Sequence, residues 1–108
     1  MTDEIFGPIC SISRFTTLPS VLARANATPY GLAAAVFTEN IRTAHTCVRK
    51  LNVGMVFVNS SGDSGIQLPF GGNKMSGFGR ELGSYALNAY TQPKVRLSSG
   101  CGMCFSVR

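Results

Sequence analysis

The hydrophobic patterning of this 108-residue chain predicts an α/β fold, a mostly parallel sheet with flanking helices. Two short, unbroken apolar runs, residues 32–37 and 55–58, read as strands covered on both faces, as strands of a parallel sheet are. A segment with helical spacing stands between them, and another precedes the first run. Strand, helix, strand, helix, strand in that order is the signature of crossover units feeding one sheet.

Residues 9–15 alternate imperfectly, with Ile9, Ile12 and Phe15 apolar. Pro8 at their head supplies no amide hydrogen, so regular strand pairing is expected only after it. Thr17 can cap a helix to about Asn26, with Pro19 tolerated in the first turn and Val21, Leu22 and Ala25 on one face. Pro29, Tyr30 and Gly31 break that helix. Beyond the run at 32–37, Asn40 is a good cap, and Ile41, Ala44, Val48 and Leu51 recur at spacings of three, four and three. Arg49 and Lys50 fall in the last turn, where cations meet the negative end of the helix dipole. Asn52 and Gly54 close the helix ahead of the second buried strand. Residues 80–89 read as a further helix with Leu82, Ala86 and Leu87 inward. Val95 and Leu97 alternate within residues 91–97, where Pro93 marks an edge strand.

A chain of this length fits one domain burying roughly 65% of its unfolded surface. Its hydrophobic content of 44% is that of a globular protein. No apolar run approaches the ~18 residues that span a bilayer, so no membrane partner is expected. Asp3 and Glu4 open the chain without a basic segment leading into an apolar one, the pattern of a cytoplasmic rather than a secreted protein. Net charge is +5, but apart from Arg49 and Lys50 the cations are scattered singly, so no nucleic-acid-binding stripe forms. Four cysteines, at 10, 47, 101 and 104, make no disulfide framework. Cys10, in a strand-like run, and Cys47, on a helix face, read as buried free thiols. Cys101 and Cys104 have the C-x-x-C spacing of redox and zinc sites. Zinc needs four ligands, however, and the only histidine, His45, lies far off and reads as exposed, so no metal site is expected.

The densest signal lies at residues 69–83, Pro-Phe-Gly-Gly-Asn-Lys-Met-Ser-Gly-Phe-Gly-Arg-Glu-Leu-Gly, which hold five of the twelve glycines. Glycine reaches positive φ and close backbone approach without steric cost, so this is a shaped loop. It is not a phosphate-cradling P-loop, because Met75 follows the lysine where Ser or Thr is required. Nor is it a dinucleotide fingerprint: Gly77, Gly79 and Gly83 are spaced Gly-x-Gly-x-x-x-Gly. Lys74, Arg80 and Glu81 read as structural residues, with Arg80 free to bridge to another segment.

This loop resembles the glycine-rich loop near the C-terminus of NAD(P)-dependent aldehyde dehydrogenases. Glu4-Ile-Phe-Gly-Pro8 resembles that family's Glu-x-Phe-Gly-Pro motif. Tyr30-Gly-Leu-Ala-Ala-Ala-Val-Phe37 and Gly54-Met-Val-Phe-Val-Asn59 are similar to the segments between, in the family's order and at matching distances. The resemblance covers residues 3–97 and corresponds to the C-terminal end of the family's sequence. It implies residues 1–90 as the C-terminal part of the catalytic domain and 91–97 as the oligomerisation strand of a homo-oligomer; residues 98–108, rich in Gly and Ser, depart from the family and read as a flexible tail.

The resemblance also implies an activity: oxidation of an aldehyde to a carboxylic acid with NAD or NADP as acceptor. Glu4 matches the glutamate that hydrogen-bonds the nicotinamide ribose, a sensible partner because a carboxylate accepts from both hydroxyls. Phe6 matches the aromatic beside the nicotinamide ring, and Leu32 adds an apolar wall nearby. Phe70 matches an aromatic lining the substrate channel. Ser61 and Ser64 stand where some relatives place bulky aromatics, so small polar groups there would leave the channel wider. Glu4 and Phe70 are expected to face one concavity. None of the four cysteines lies in a context like the family's nucleophile segment, and the general-base glutamate and dinucleotide-binding domain are not matched either. The expectation is therefore a fragment that oxidises no aldehyde by itself. The alternative is a non-catalytic chain docking onto complete dehydrogenase subunits through residues 91–97. A remote third reading is a redox or metal module built on Cys101 and Cys104.

Overall fold

The computed structural model of the chain describes residues 3–99. Helix α1 spans Leu18–Asn26, its first turn closed by Thr17, whose hydroxyl accepts from the Ser20 amide at 3.4 Å. Helix α2 spans Ile41–Lys50 and is better capped. The Asn40 side-chain oxygen accepts from the amides of Arg42 at 2.9 Å and Thr43 at 3.1 Å. Strands β1 (Tyr30–Gly31), β2 (Ala33–Val36), β3 (Met55–Val58) and β4 (Asn73–Lys74) form two separate two-stranded sheets.

The apolar runs pair as their composition predicts. β2 and β3 are parallel, Ala33 opposite Met55 through Val36 opposite Val58, with α2 as the crossover between them. Asn59 extends this ladder by one rung. Its amide donates to the Val36 carbonyl at 2.8 Å, while its side chain both accepts from and donates to the Thr38 backbone. The second pair, β1 with β4, is antiparallel, Tyr30 opposite Lys74 and Gly31 opposite Asn73. It arises where the sequence reads as a break, because the glycine-rich stretch returns across the chain to meet it.

Three expected elements take another form. Residues 9–15 and 91–97 are not strands among the described residues. Extended backbone becomes a strand only when a neighbouring ladder takes its amides and carbonyls. Cys10 is consequently exposed rather than buried. The helix expected over 80–89 begins only at a 3-10 turn, Ser84–Ala86, continuing into α3 (Leu87–Tyr90). Leu82 at φ 58 and Gly83 at φ 53 place two successive left-handed residues where a right-handed helix would have to start. Of the face assigned to that helix, Ala86 is half-buried and Leu87 is exposed.

Ala44 and Cys47 on α2 are buried, so the thiol of Cys47 is a core group as expected. Ile41 and Val48, on the same predicted apolar face, are exposed, and His45 is exposed as expected. β2 alternates exposed and half-buried, so the sheet is not covered on both faces. The accessible surface, 9564 Å², far exceeds the roughly 5,800 Å² of a compact folded chain of this mass. No helix among the described residues is long and apolar enough to cross a membrane. Residues 100–108, which hold Cys101, Cys104 and most of the expected tail, lie outside the described residues.

Candidate functional site

The glycine-rich stretch is a closed loop. Phe70 and Glu81 form an antiparallel bridge across its base, each donating its amide to the other's carbonyl at 2.7 Å. The loop can pack this tightly because it lacks side chains at its contacts: a Cβ on Gly72 would stand 2.6 Å from the Cβ of Ser76. Arg80 holds it from inside, and Lys74 ties it to the end of α1. The Lys74 ammonium donates to the carbonyls of Asn26 and Thr28, both at 3.0 Å, at the C-terminal end of α1. The Arg80 guanidinium donates to the carbonyls of Gly72 at 2.9 Å and Gly79 at 2.7 Å, and to the Asn73 side-chain oxygen at 2.8 Å. Both cations are thus structural, as the sequence implies. Glu81 is exposed and serves the bridge through its backbone rather than capping a helix.

Two adjoining depressions flank this loop. The first, about 610 Å³, is lined by Leu32, Phe70, Phe78, Arg80, Tyr85 and glycine-loop backbone. The second, about 730 Å³, is lined by Asp3, Glu4, Tyr30, Leu32, Val53 and Ser76, among others. Leu32 and Ser76 line both and form the partition. Ser76 is fixed there because its hydroxyl accepts from the Gly31 amide at 2.9 Å.

Glu4 and Phe70, expected to face one concavity, therefore stand in separate depressions on either side of a shared wall. Leu32 adjoins both. Phe6, at φ 51 and 90% exposed, lines neither. Ser61 and Ser64 are exposed and also line neither. Ser76, Asn73 and Gly54 shape the site without having been singled out as site residues. Their roles depend on contacts 17 to 45 residues away in sequence, which no local pattern announces. No group of three or more potential metal-ligating His, Cys, Asp or Glu side chains occurs among the described residues.

Comparison with known proteins bears on the whole of this arrangement. The chain is 49% identical over 95 residues to aldehyde dehydrogenase [NAD(P)+] 1 of Saccharomyces cerevisiae, covering 88% of this chain and 19% of that protein. It is 52% identical over 93 residues to human mitochondrial aldehyde dehydrogenase, covering 86% of this chain and 18% of that protein. The structure superposes on the NAD+ complex of an aldehyde dehydrogenase from Bacillus cereus with a TM-score of 0.81 at 48% identity, covering 84% of this chain and 18% of that one. The chain thus spans about a fifth of the length of these relatives. The sequence pattern of the aldehyde dehydrogenase family matches residues 1–96, and with these likenesses in sequence and fold the chain belongs to that family.

Proposed function

We propose that this chain supplies one wall of the active site of an NAD(P)-dependent aldehyde dehydrogenase, an oxidoreductase converting an aldehyde to a carboxylic acid. The observation that carries the reading is the pair of depressions sharing Leu32 and Ser76, with Glu4 lining one and Phe70 the other. A dinucleotide and an aldehyde seated on either side of that partition would meet along its edge.

The residues fit such a cofactor chemically. The Glu4 carboxylate, exposed at the rim of the larger depression, can accept from two vicinal hydroxyls of a ribose. Leu32 offers an apolar surface beside it, and Phe6 lies two residues along with its ring open to a ligand. When bound, NAD or NADP supplies the hydride acceptor. On the other side Phe70 gives the aldehyde an apolar wall and keeps water from it, with Ser61 and Ser64 on the loop that precedes it. Among the described residues Cys47 is buried and Cys10 stands in neither depression, so this reading assigns the nucleophile and the general base to other segments of the enzyme. Residues 91–97, where Val95 and Leu97 are exposed, lie against a second subunit in the assembled enzyme.

A chimera tests this. Residues 3–97 replace the matching segment of the yeast enzyme, and NADH or NADPH formation from an aldehyde is followed. The chimera is expected to be active, and the 108-residue chain alone to form no reduced cofactor. Glu4→Gln in the chimera is expected to raise KM for the cofactor about tenfold or more, the scale of losing hydrogen bonds to a charged group. Alkylation of the chimera's catalytic thiol should be unchanged. A soluble chimera without activity, or unaltered cofactor kinetics in Glu4→Gln, would defeat the respective assignments.

A further inference from the structure

We propose that Arg80 is the positioning residue of the Phe70 wall, acting through a relay of three asparagines that ties the glycine loop to the C-terminal ends of both long helices. The loop needs such an anchor. Gly77 and Gly79 hold positive φ, Gly71 lies at the edge of that region, and the glycines contribute no side-chain packing, so the loop is entropically costly to hold. Arg80, half-buried at its foot, spans three acceptors at once: the Gly72 and Gly79 carbonyls and the Asn73 side-chain oxygen. A planar guanidinium can do this, whereas an ammonium is a single point of donation on a flexible stem.

The chain of bonds continues from Asn73. Its side-chain Nδ2 donates to the Asn52 Oδ1 at 3.2 Å, and the Asn52 backbone amide donates to the Asn26 Oδ1 at 2.8 Å. The Asn26 Nδ2 in turn donates to the carbonyl of Lys50, the last residue of α2, at 2.7 Å. Asn26 is itself the last residue of α1. Asn26 and Asn73 each accept on one side and donate on the other, so their amides have one orientation and the relay has a direction. Arg80 also follows Gly79 immediately and precedes the Glu81 whose backbone closes the bridge to Phe70. Moving the guanidinium moves that bridge, and with it the ring that lines the first depression.

The first test is independent of any reaction. Amide hydrogen exchange is measured on the full 108-residue chain and on Arg80→Lys, Asn73→Ala and the double variant, with Arg42→Lys on the exposed face of α2 as control. Arg80→Lys is expected to speed exchange at Phe70 and Glu81 about tenfold. The amides of Met55 and Asn59, which donate within the β2–β3 ladder, should be unaffected. Asn73→Ala should add little to Arg80→Lys, because both cut the same relay. No protection at Phe70 and Glu81 in the parent chain, equal loss at all four amides, or full additivity would each overturn the proposal. The second test rests on the dehydrogenase reading. In the chimera, Arg80→Lys is expected to raise the aldehyde KM about tenfold with the cofactor KM unchanged. Equal changes in both would overturn the positioning role while a working chimera left the dehydrogenase reading intact. An inactive chimera would remove that reading, with the exchange measurements still deciding Arg80.

Discussion

At Gly54 the absence of a side chain is what allows β3 and the glycine loop to touch. A Cβ there would clash with the Gly71 carbonyl oxygen, far inside van der Waals contact distance, and the contacting atoms on the loop side are all backbone. Nothing can rotate away, so Gly54→Ala must push the loop off the sheet. A destabilisation of about 1–3 kcal/mol is expected, the usual scale for forcing atoms into a packed site. Gly7→Ala is the control: its nearest neighbour is a side-chain methyl at 4.0 Å, and it should be neutral within about 0.5 kcal/mol. Urea midpoints of the two variants in the chimera would check the contrast, and equal midpoints would refute it. In the sequence Gly54 reads only as a helix stop, because the oxygen that forbids a side chain belongs to a residue 17 positions later. Lys74 and Arg80 were legible as structural for a local reason, being cations set among glycines. Their acceptors were not, since backbone carbonyls leave no mark in a sequence.

The two long helices show what local chemistry does determine. Both begin at the capping residue the sequence marks, Thr17 or Asn40, and both end at the residue expected within one position. The caps differ in quality. Asn40 accepts two amides at 2.9 and 3.1 Å, whereas Thr17 accepts one at 3.4 Å, near the limit of a useful hydrogen bond. Asn40→Ala is therefore expected to cost about 1 kcal/mol, Thr17→Ala less than half of that, and Asn40→Asp close to nothing. Helicity by circular dichroism across a urea series would rank the three variants, and the reverse order would show that packing rather than capping sets the helix ends. Strands obey another rule. The β2–β3 pair was legible because both partners lie in this chain and their apolar runs advertise them. Residues 9–15 and 91–97 carry the same kind of alternation, yet among the described residues neither has a ladder to join. Alternation records which face is apolar, and only a neighbour makes it a strand. The helix expected over 80–89 failed for a different reason: Leu82 takes a left-handed conformation that no propensity predicts for leucine.

On the scale of the whole molecule, surface is the deciding quantity. The radius of gyration is 20.4 Å, against about 13 Å for a compact chain of this length. Large apolar side chains stand open along it: Ile12 at 91%, Phe78 at 101% and Leu97 at 92% exposure. Isolated exposed residues are ordinary on any surface, but the open positions here include Ile5, Ile9 and Phe15 along one extended segment and Val95 and Leu97 along another. Extended segments that join no ladder and carry exposed apolar side chains are templates for pairing with another chain. At roughly 25 cal/mol per Å² of apolar area, each such side chain covered contributes about 1.5–3 kcal/mol, so two or three match much of the stability of a small domain. The 108-residue chain alone is therefore expected to bind a hydrophobic dye such as ANS and to sediment well above its 11.5 kDa monomer mass at micromolar concentration. In the chimera the same residues meet the rest of a dehydrogenase, and the dye signal per chain should fall several-fold. A chain that sediments as a sharp monomer without dye binding would mean that these apolar faces close on themselves in solution, and the separate depressions around Leu32 and Ser76 would then have to be redrawn.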